Sequence, residues 1–152
     1  MSTDMQNPLK LVDILLIDDD PADVELTIRA LKKGDAFRSL NGVSDGVEAM
    51  KYLRGEGIYR EKPRPNLILL DLNMPRMDGR ETLRAIKADE TTRSIPVIVL
   101  TTSDSEKDVA ESYDLQASCY LTKSVDLEHF SDAVTGVKEF WLKFVQYPSD
   151  SQ

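Results

Sequence analysis

At four places in the chain, polar groups stand at the ends of short apolar runs. Asp18, Asp19 and Asp20 follow Val12 to Ile17, and Asp71, with Asn73 two residues on, follows Leu67 to Leu70. Thr101 and Thr102 follow Pro96 to Leu100, and Lys123 stands just past Cys119 to Leu121. Carboxylates gathered at one place repel each other and bind protons more tightly unless a cation sits among them. Oxygen donors favour a hard ion, and a few carboxylates completed by water suit Mg²⁺ better than a closed Ca²⁺ cage. Taken singly, each residue has a plain structural explanation: Asp20 caps a helix, and a Thr or Lys at a strand end is solvated. Their convergence is the signal, provided that the four runs are strands of one sheet.

The spacing of apolar residues predicts that they are. Val12 to Ile17 has no helical period and reads as a buried first strand. Asp20 at a cap position, Pro21 at the first helical position and Gly34 as a stop bracket a helix whose face carries Val24, Ile28 and Leu31. The unit then recurs. Phe37 to Val43 is a weaker strand, Asp45 to Arg54 a helix, and Gly55 to Pro65 a polar loop. Leu67 to Leu70 is the third strand, with a helix from Gly79 to Ala88. Pro96 to Leu100 is the fourth strand, with a helix over 105–113. Cys119 to Leu121 is a short fifth strand, and a last helix spans 126–145. Five strands alternating with five helices predict a doubly wound α/β fold, a five-stranded parallel sheet covered on both faces. In such sheets the functional crevice lies beyond the carboxyl ends of the strands, where the polar residues stand.

Composition narrows the function. The chain has 152 residues, with 19 Lys+Arg against 27 Asp+Glu and a formal charge of −8. That field repels phosphate backbones and anionic lipid heads, so neither nucleic acid nor a membrane surface is an expected partner. The length suits one domain, expected over 11–146 between tails at 1–10 and 147–152, with no room for a separate output domain. Cys119, the only cysteine, has no disulfide partner within the chain. With no signal-peptide pattern and no apolar run of membrane-spanning length, the expected location is the cytoplasm.

The motifs Ile14-Leu15-Leu16-Ile17-Asp18-Asp19-Asp20, Leu69-Leu70-Asp71-Leu72-Asn73-Met74-Pro75, Met77-Asp78-Gly79, Val99-Leu100-Thr101-Thr102 and Tyr120-Leu121-Thr122-Lys123 carry a family resemblance. Over residues 12 to about 145 the chain resembles the receiver domains of two-component response regulators. The resemblance implies a flavodoxin-like, CheY-like (βα)5 fold with strand order 2-1-3-4-5. It implies Asp71 as phosphoacceptor from a phosphohistidine on a partner sensor histidine kinase. Asp19 would bind Mg²⁺ directly and Asp18 mainly through water, with Asp71 and the Asn73 carbonyl completing the protein ligands. Lys123 would pair with a phosphoryl oxygen, the Thr101 hydroxyl would reach the phosphoryl group, and Tyr120 would turn inward as its switch partner. The expected function is thus a single-domain regulator in a phosphorelay, a signalling receiver and not an enzyme, which catalyses only its own phosphorylation and dephosphorylation. The 55–65 insert, the Lys123-Ser124 pair and Phe140-Trp141-Leu142 resemble the small regulators that serve bacterial phytochrome kinases, which makes a phytochrome the candidate phosphodonor. One departure stands out. Most receivers follow the fifth-strand lysine with a cis-proline, whereas here it is Ser124, and a cis bond without proline costs about 3–4 kcal/mol.

Two other function classes share some of these residues. A Mg²⁺-dependent phosphatase or phosphotransferase with an aspartyl-phosphate intermediate also starts from an aspartate at a strand end and is the alternative reading, but such enzymes usually place a second Asp two residues on, where this chain has Asn73. A flavodoxin-like cofactor binder needs a phosphate cradle after the first strand, where Asp18 to Asp20 would repel the phosphate. His129, the only histidine, falls in the last helix, so a phosphohistidine must come from another protein. In that helix Leu127, Phe130, Val134, Val137, Trp141 and Phe144 form a stripe, and Phe140 and Val145 widen it beyond what one sheet need cover. The excess predicts a protein contact, with a homodimer through helix four, strand five and the last helix as the leading form.

Overall fold

The computed structural model describes residues 13–33, 38–72, 74, 77–101 and 119–122. Five strands, β1 (Asp13–Ile17), β2 (Ser39–Val43), β3 (Leu67–Asp71), β4 (Val97–Thr101) and β5 (Cys119–Thr122), alternate with helices α1 (Pro21–Lys33), α2 (Gly46–Arg54) and α3 (Gly79–Ala88). The strands form one parallel sheet in the order β2-β1-β3-β4-β5, the expected doubly wound arrangement. The helices expected over 105–113 and 126–145, and both tails, lie outside the described residues.

Strands β1 and β3 are buried at every position, which is why they read as unbroken apolar runs rather than as alternating ones. Successive side chains point to opposite faces. Leu15, Ile17, Ile68, Leu70, Val97 and Val99 join Leu83 and Ile86 of α3 and Ala49 and Met50 of α2 in one core, while Ile14, Leu16, Leu67 and Leu69 are buried on the other face. Edge strand β2 is half-buried over Ser39 to Asn41 and exposed at Gly42, so its sequence signal is weak; it begins at Ser39 rather than Phe37.

The helix starts follow local chemistry. Asp20 caps α1 as expected: its Oδ1 accepts from the Ala22 amide at 2.9 Å and its carbonyl from the Val24 amide at 2.9 Å. Asp45 lies outside α2 as its N-cap, one residue short of the expected helix, because its Oδ1 accepts from the Glu48 amide at 2.9 Å. Gly55, in the left-handed region at φ 67°, closes that helix. Asp78 and Glu81 form a reciprocal capping box at the start of α3.

The stretch expected to be a plain polar loop is anchored. It holds a 3-10 turn over Gly57–Tyr59; the Tyr59 ring lies 5.3 Å from that of Tyr52, and its hydroxyl donates to Glu48 Oε1 at 2.6 Å. That bond, with burial and the Glu48 and Asp45 charges, pushes the Tyr59 phenol up to about 12, so it remains a donor at any ordinary pH.

At the amino end of the sheet, Asn66 exchanges two bonds with Asp13, at 2.9 and 2.8 Å, and Asp13 accepts from Arg38 and, at 2.6 Å, from Ser39. The cluster ties the starts of β1, β2 and β3 together. Burial pushes the Asp13 carboxyl up, but the Arg38 and Ser39 bonds and the Arg38 charge outweigh it and hold the group below the ordinary carboxylate value.

Candidate functional site at the carboxyl edge of the sheet

The chain leaves β1 toward β2 on one side and returns to β3 on the other, so the strand order reverses between β1 and β3. That is the place where an open parallel sheet forms its crevice. The register pairs Ile17 with Leu70, which brings the next residues, Asp18 and Asp71, side by side. Both are nearly buried, at 3% and 6% exposure. Asp18 is held by its amide, which donates to the Val43 carbonyl at 3.1 Å, and by its Oδ1, which accepts from the Asp20 amide at 3.0 Å. Asp19, the next residue, is exposed. One carboxylate oxygen from each of Asp18, Asp19 and Asp71 lies within 4.8 Å of the other two.

Three carboxylates this close, two of them out of water, are costly without a counter-charge. An all-oxygen donor set with one face open to solvent matches a hard divalent cation that keeps some of its water. The residues present therefore fit a metal site; Asp20, which caps α1, lies outside the group of three.

Along the same edge, Asp71 is in register with Leu100, which places Thr101 one step beyond it at the end of β4. Thr101 pairs with Thr122, and Val99 with Tyr120, so β5 carries Tyr120 two residues before the edge. Asn73 and Lys123 lie outside the described residues, as do the Lys123-Ser124 bond, His129 and the apolar stripe ending at Phe144 and Val145. Strand β5 is the described part of the expected contact surface.

Several features at this edge escaped sequence reasoning. An open cleft of about 720 Å³ runs from Asp18 and Asp19 along Val24 and Ile28 of α1 to Val43, Glu48 and Tyr59. The Val24–Ile28 spacing was visible, but nothing local placed Tyr59 opposite it. Gly46 and Gly79 approach the β3–α3 connection closely, a contact that neither the motif nor the helix start at Gly79 reveals. The Asp78–Glu81 capping box was readable as Asp-x-x-Glu at the helix start. Among the described residues no helix is long and apolar enough to cross a membrane.

With this geometry in view, comparison with known proteins is specific. Residues 14–135 match the response regulator receiver domain. The chain is 46% identical over 147 residues to the response regulator Rcp1 of a Synechocystis sp. strain, an alignment covering 97% of this chain and 99% of Rcp1. The crystal structure of the phosphorylated cyanobacterial phytochrome response regulator RcpA superposes with a TM-score of 0.80 at 49% identity, covering 86% of this chain and 94% of RcpA. The Mn²⁺-bound form of Rcp1 superposes with a TM-score of 0.78 at 46% identity, covering 88% of this chain and 96% of that one.

Proposed function

The chain belongs to the response regulator receiver family, and on that premise we propose that it accepts a phosphoryl group on Asp71 from a partner histidine kinase and signals through a protein contact. The observation that carries the proposal is the meeting of Asp18, Asp19 and Asp71 oxygens within 4.8 Å at the reversal point of the sheet. A carboxylate there is both a metal ligand and a nucleophile. An Asp71 oxygen forms a bond to phosphorus as the P–N bond to the donor imidazole breaks; the departing nitrogen keeps the electron pair and is protonated from solvent. Mg²⁺, when bound, supplies neutralisation of the phosphoryl charge.

This chain's own residues supply position. Asp18 and Asp19 hold the cation against Asp71, with the Asn73 carbonyl as a further ligand. Lys123 offers a positive charge to a phosphoryl oxygen, and the Thr101 hydroxyl offers a hydrogen bond that exists only when the phosphoryl group is present. That difference biases Thr101 and Tyr120, and through strand β5 the surface that a partner reads. Rcp1 and RcpA, similar over nearly their whole lengths, support a phytochrome kinase as the phosphodonor, since RcpA is a cyanobacterial phytochrome response regulator.

The test is phosphorylation of the wild type and Asp71→Asn by a small phosphodonor with Mg²⁺, followed by intact-mass measurement. The wild type is expected to gain one acid-stable, base-labile phosphoryl group and the variant none; undiminished phosphate on the variant would overturn the assignment.

A further inference from the structure

Helices α2 and α3 both begin with glycine, and neither glycine needs its backbone freedom: the positive φ values among the described glycines are at Gly55 and Gly57. Alanine in a helix is favoured over glycine by up to about 1 kcal/mol, so conformational preference argues against glycine at both places. Space argues for it. A Cβ on Gly79 would stand 2.4 Å from the Asp71 carbonyl oxygen and 2.4 Å from Leu72 Cα, while the Gly79 amide donates to the Leu72 carbonyl at 2.9 Å. A Cβ on Gly46 would stand 2.0 Å from Thr82 Oγ1 and 2.8 Å from both Met77 Cγ and the Met77 carbonyl oxygen. The Gly46 amide donates to that same carbonyl at 3.3 Å.

Gly79 thus touches the backbone of Asp71 itself, and Gly46 touches the far end of the connection that begins at Leu72. We propose that Gly79 and Gly46 are positioning residues for the metal site: their missing Cβ atoms set where the Asp71 carboxylate stands relative to Asp18 and Asp19. The proposal rests on the metal site described above and extends it to two residues that bear no ligand atom. Backbone atoms have no cheap way to yield to a new Cβ, so a methyl on Gly79 moves the Asp71–Leu72 peptide. A methyl on Gly46 has an easier escape, because its tightest neighbour is a side-chain hydroxyl, that of Thr82, which donates to the Asp78 carbonyl at 2.7 Å.

The experiment is Mn²⁺ binding, followed by electron paramagnetic resonance at a temperature where every variant is fully folded, with thermal unfolding measured alongside without metal. Gly46→Ala is expected to bind Mn²⁺ about ten-fold more weakly, the scale seen when residues supporting metal ligands are disturbed, and Gly79→Ala more weakly still. Thr82→Ala should keep nearly wild-type affinity, and Gly46→Ala with Thr82→Ala should regain part of the loss although it forfeits the Thr82 hydrogen bond. Affinity and stability then part company at Thr82→Ala, which forfeits the 2.7 Å hydrogen bond to the Asp78 carbonyl yet keeps the metal, and a purely structural role does not produce that. Wild-type affinity in both glycine variants, or affinity that follows stability across the series, would overturn the proposal. If Gly79→Ala does not fold, the Gly46 series decides. Asp19→Ala is the control: unchanged Mn²⁺ binding there would mean that the metal site, rather than its positioning, had been misassigned.

Discussion

Replacing Asp18 by Asn should make the metal-free protein more stable. Asp18 and Asp71 are both nearly buried, with oxygens within 4.8 Å of each other. At an effective dielectric of 20, two unit charges at that distance repel by about 3.5 kcal/mol, which the further partners of both side chains reduce. Asp19 is exposed, and water screens its share. Asn keeps the Oδ1 that accepts from the Asp20 amide, so the turn after β1 survives the change. Water penetration and relaxation recover part of the repulsion in the wild type, leaving an expected gain of about 1–3 kcal/mol. For a chain of this size that corresponds to roughly 2–12 °C in Tm. Metal should reverse the comparison. A ligand at a hundred times its Kd stabilises by about 2.7 kcal/mol, an increment the wild type should gain with Mg²⁺ and Asp18→Asn should lose in part. The assay is thermal unfolding of both proteins in chelator and in excess Mg²⁺. A lower Tm for Asp18→Asn in chelator, or an equal Mg²⁺ increment in the two proteins, would refute the electrostatic argument.

Asp13→Asn should cost about 1–2 kcal/mol at neutral pH, since it removes a charge-assisted contact whose Arg38 partner is largely exposed. Because the folded carboxyl lies below its ordinary value, its contribution is present above that value and is lost as pH falls through the folded one. The variant and wild type should therefore converge in acid, which denaturant melts across that range will check. Thr101→Ala should still accept phosphate from a small donor yet show a weak structural response by amide exchange; parallel loss of both would contradict the division of roles between Thr101 and Lys123. Phe140→Ser should shift sedimentation toward the monomer if the apolar excess of the last stretch joins two copies, and a monomer with and without phosphodonor in both proteins would leave a hetero-partner instead.

What the sequence by itself determined was the set of strands and the chemistry at their ends. A parallel strand buried on both faces reads as an apolar run, and the acid that ends the run, Asp18 just past β1 and Asp71 at the last position of β3, declares itself as an edge residue. The cap Asp20 declares itself too, because its side chain acts two residues from where it stands; Asp45 and Asp78 emerged as caps only in the structure. Edge strand β2 was less legible, since Asn41 and Gly42 on a half-solvated edge carry little pattern. The strand order came from family resemblance, as no local signal says that β1 neighbours β3. Only the tertiary structure decided that Ile17 pairs with Leu70 and so that two acids 53 residues apart share a site. It alone joined Arg38 to Asp13 and Tyr59 to Glu48, and it alone gave Gly46 and Gly79 their meaning. The physical reason is range: hydrophobic period and capping act between neighbours in the chain. A missing Cβ, a buried pair of like charges and a register are properties of surfaces that meet only after the chain has folded.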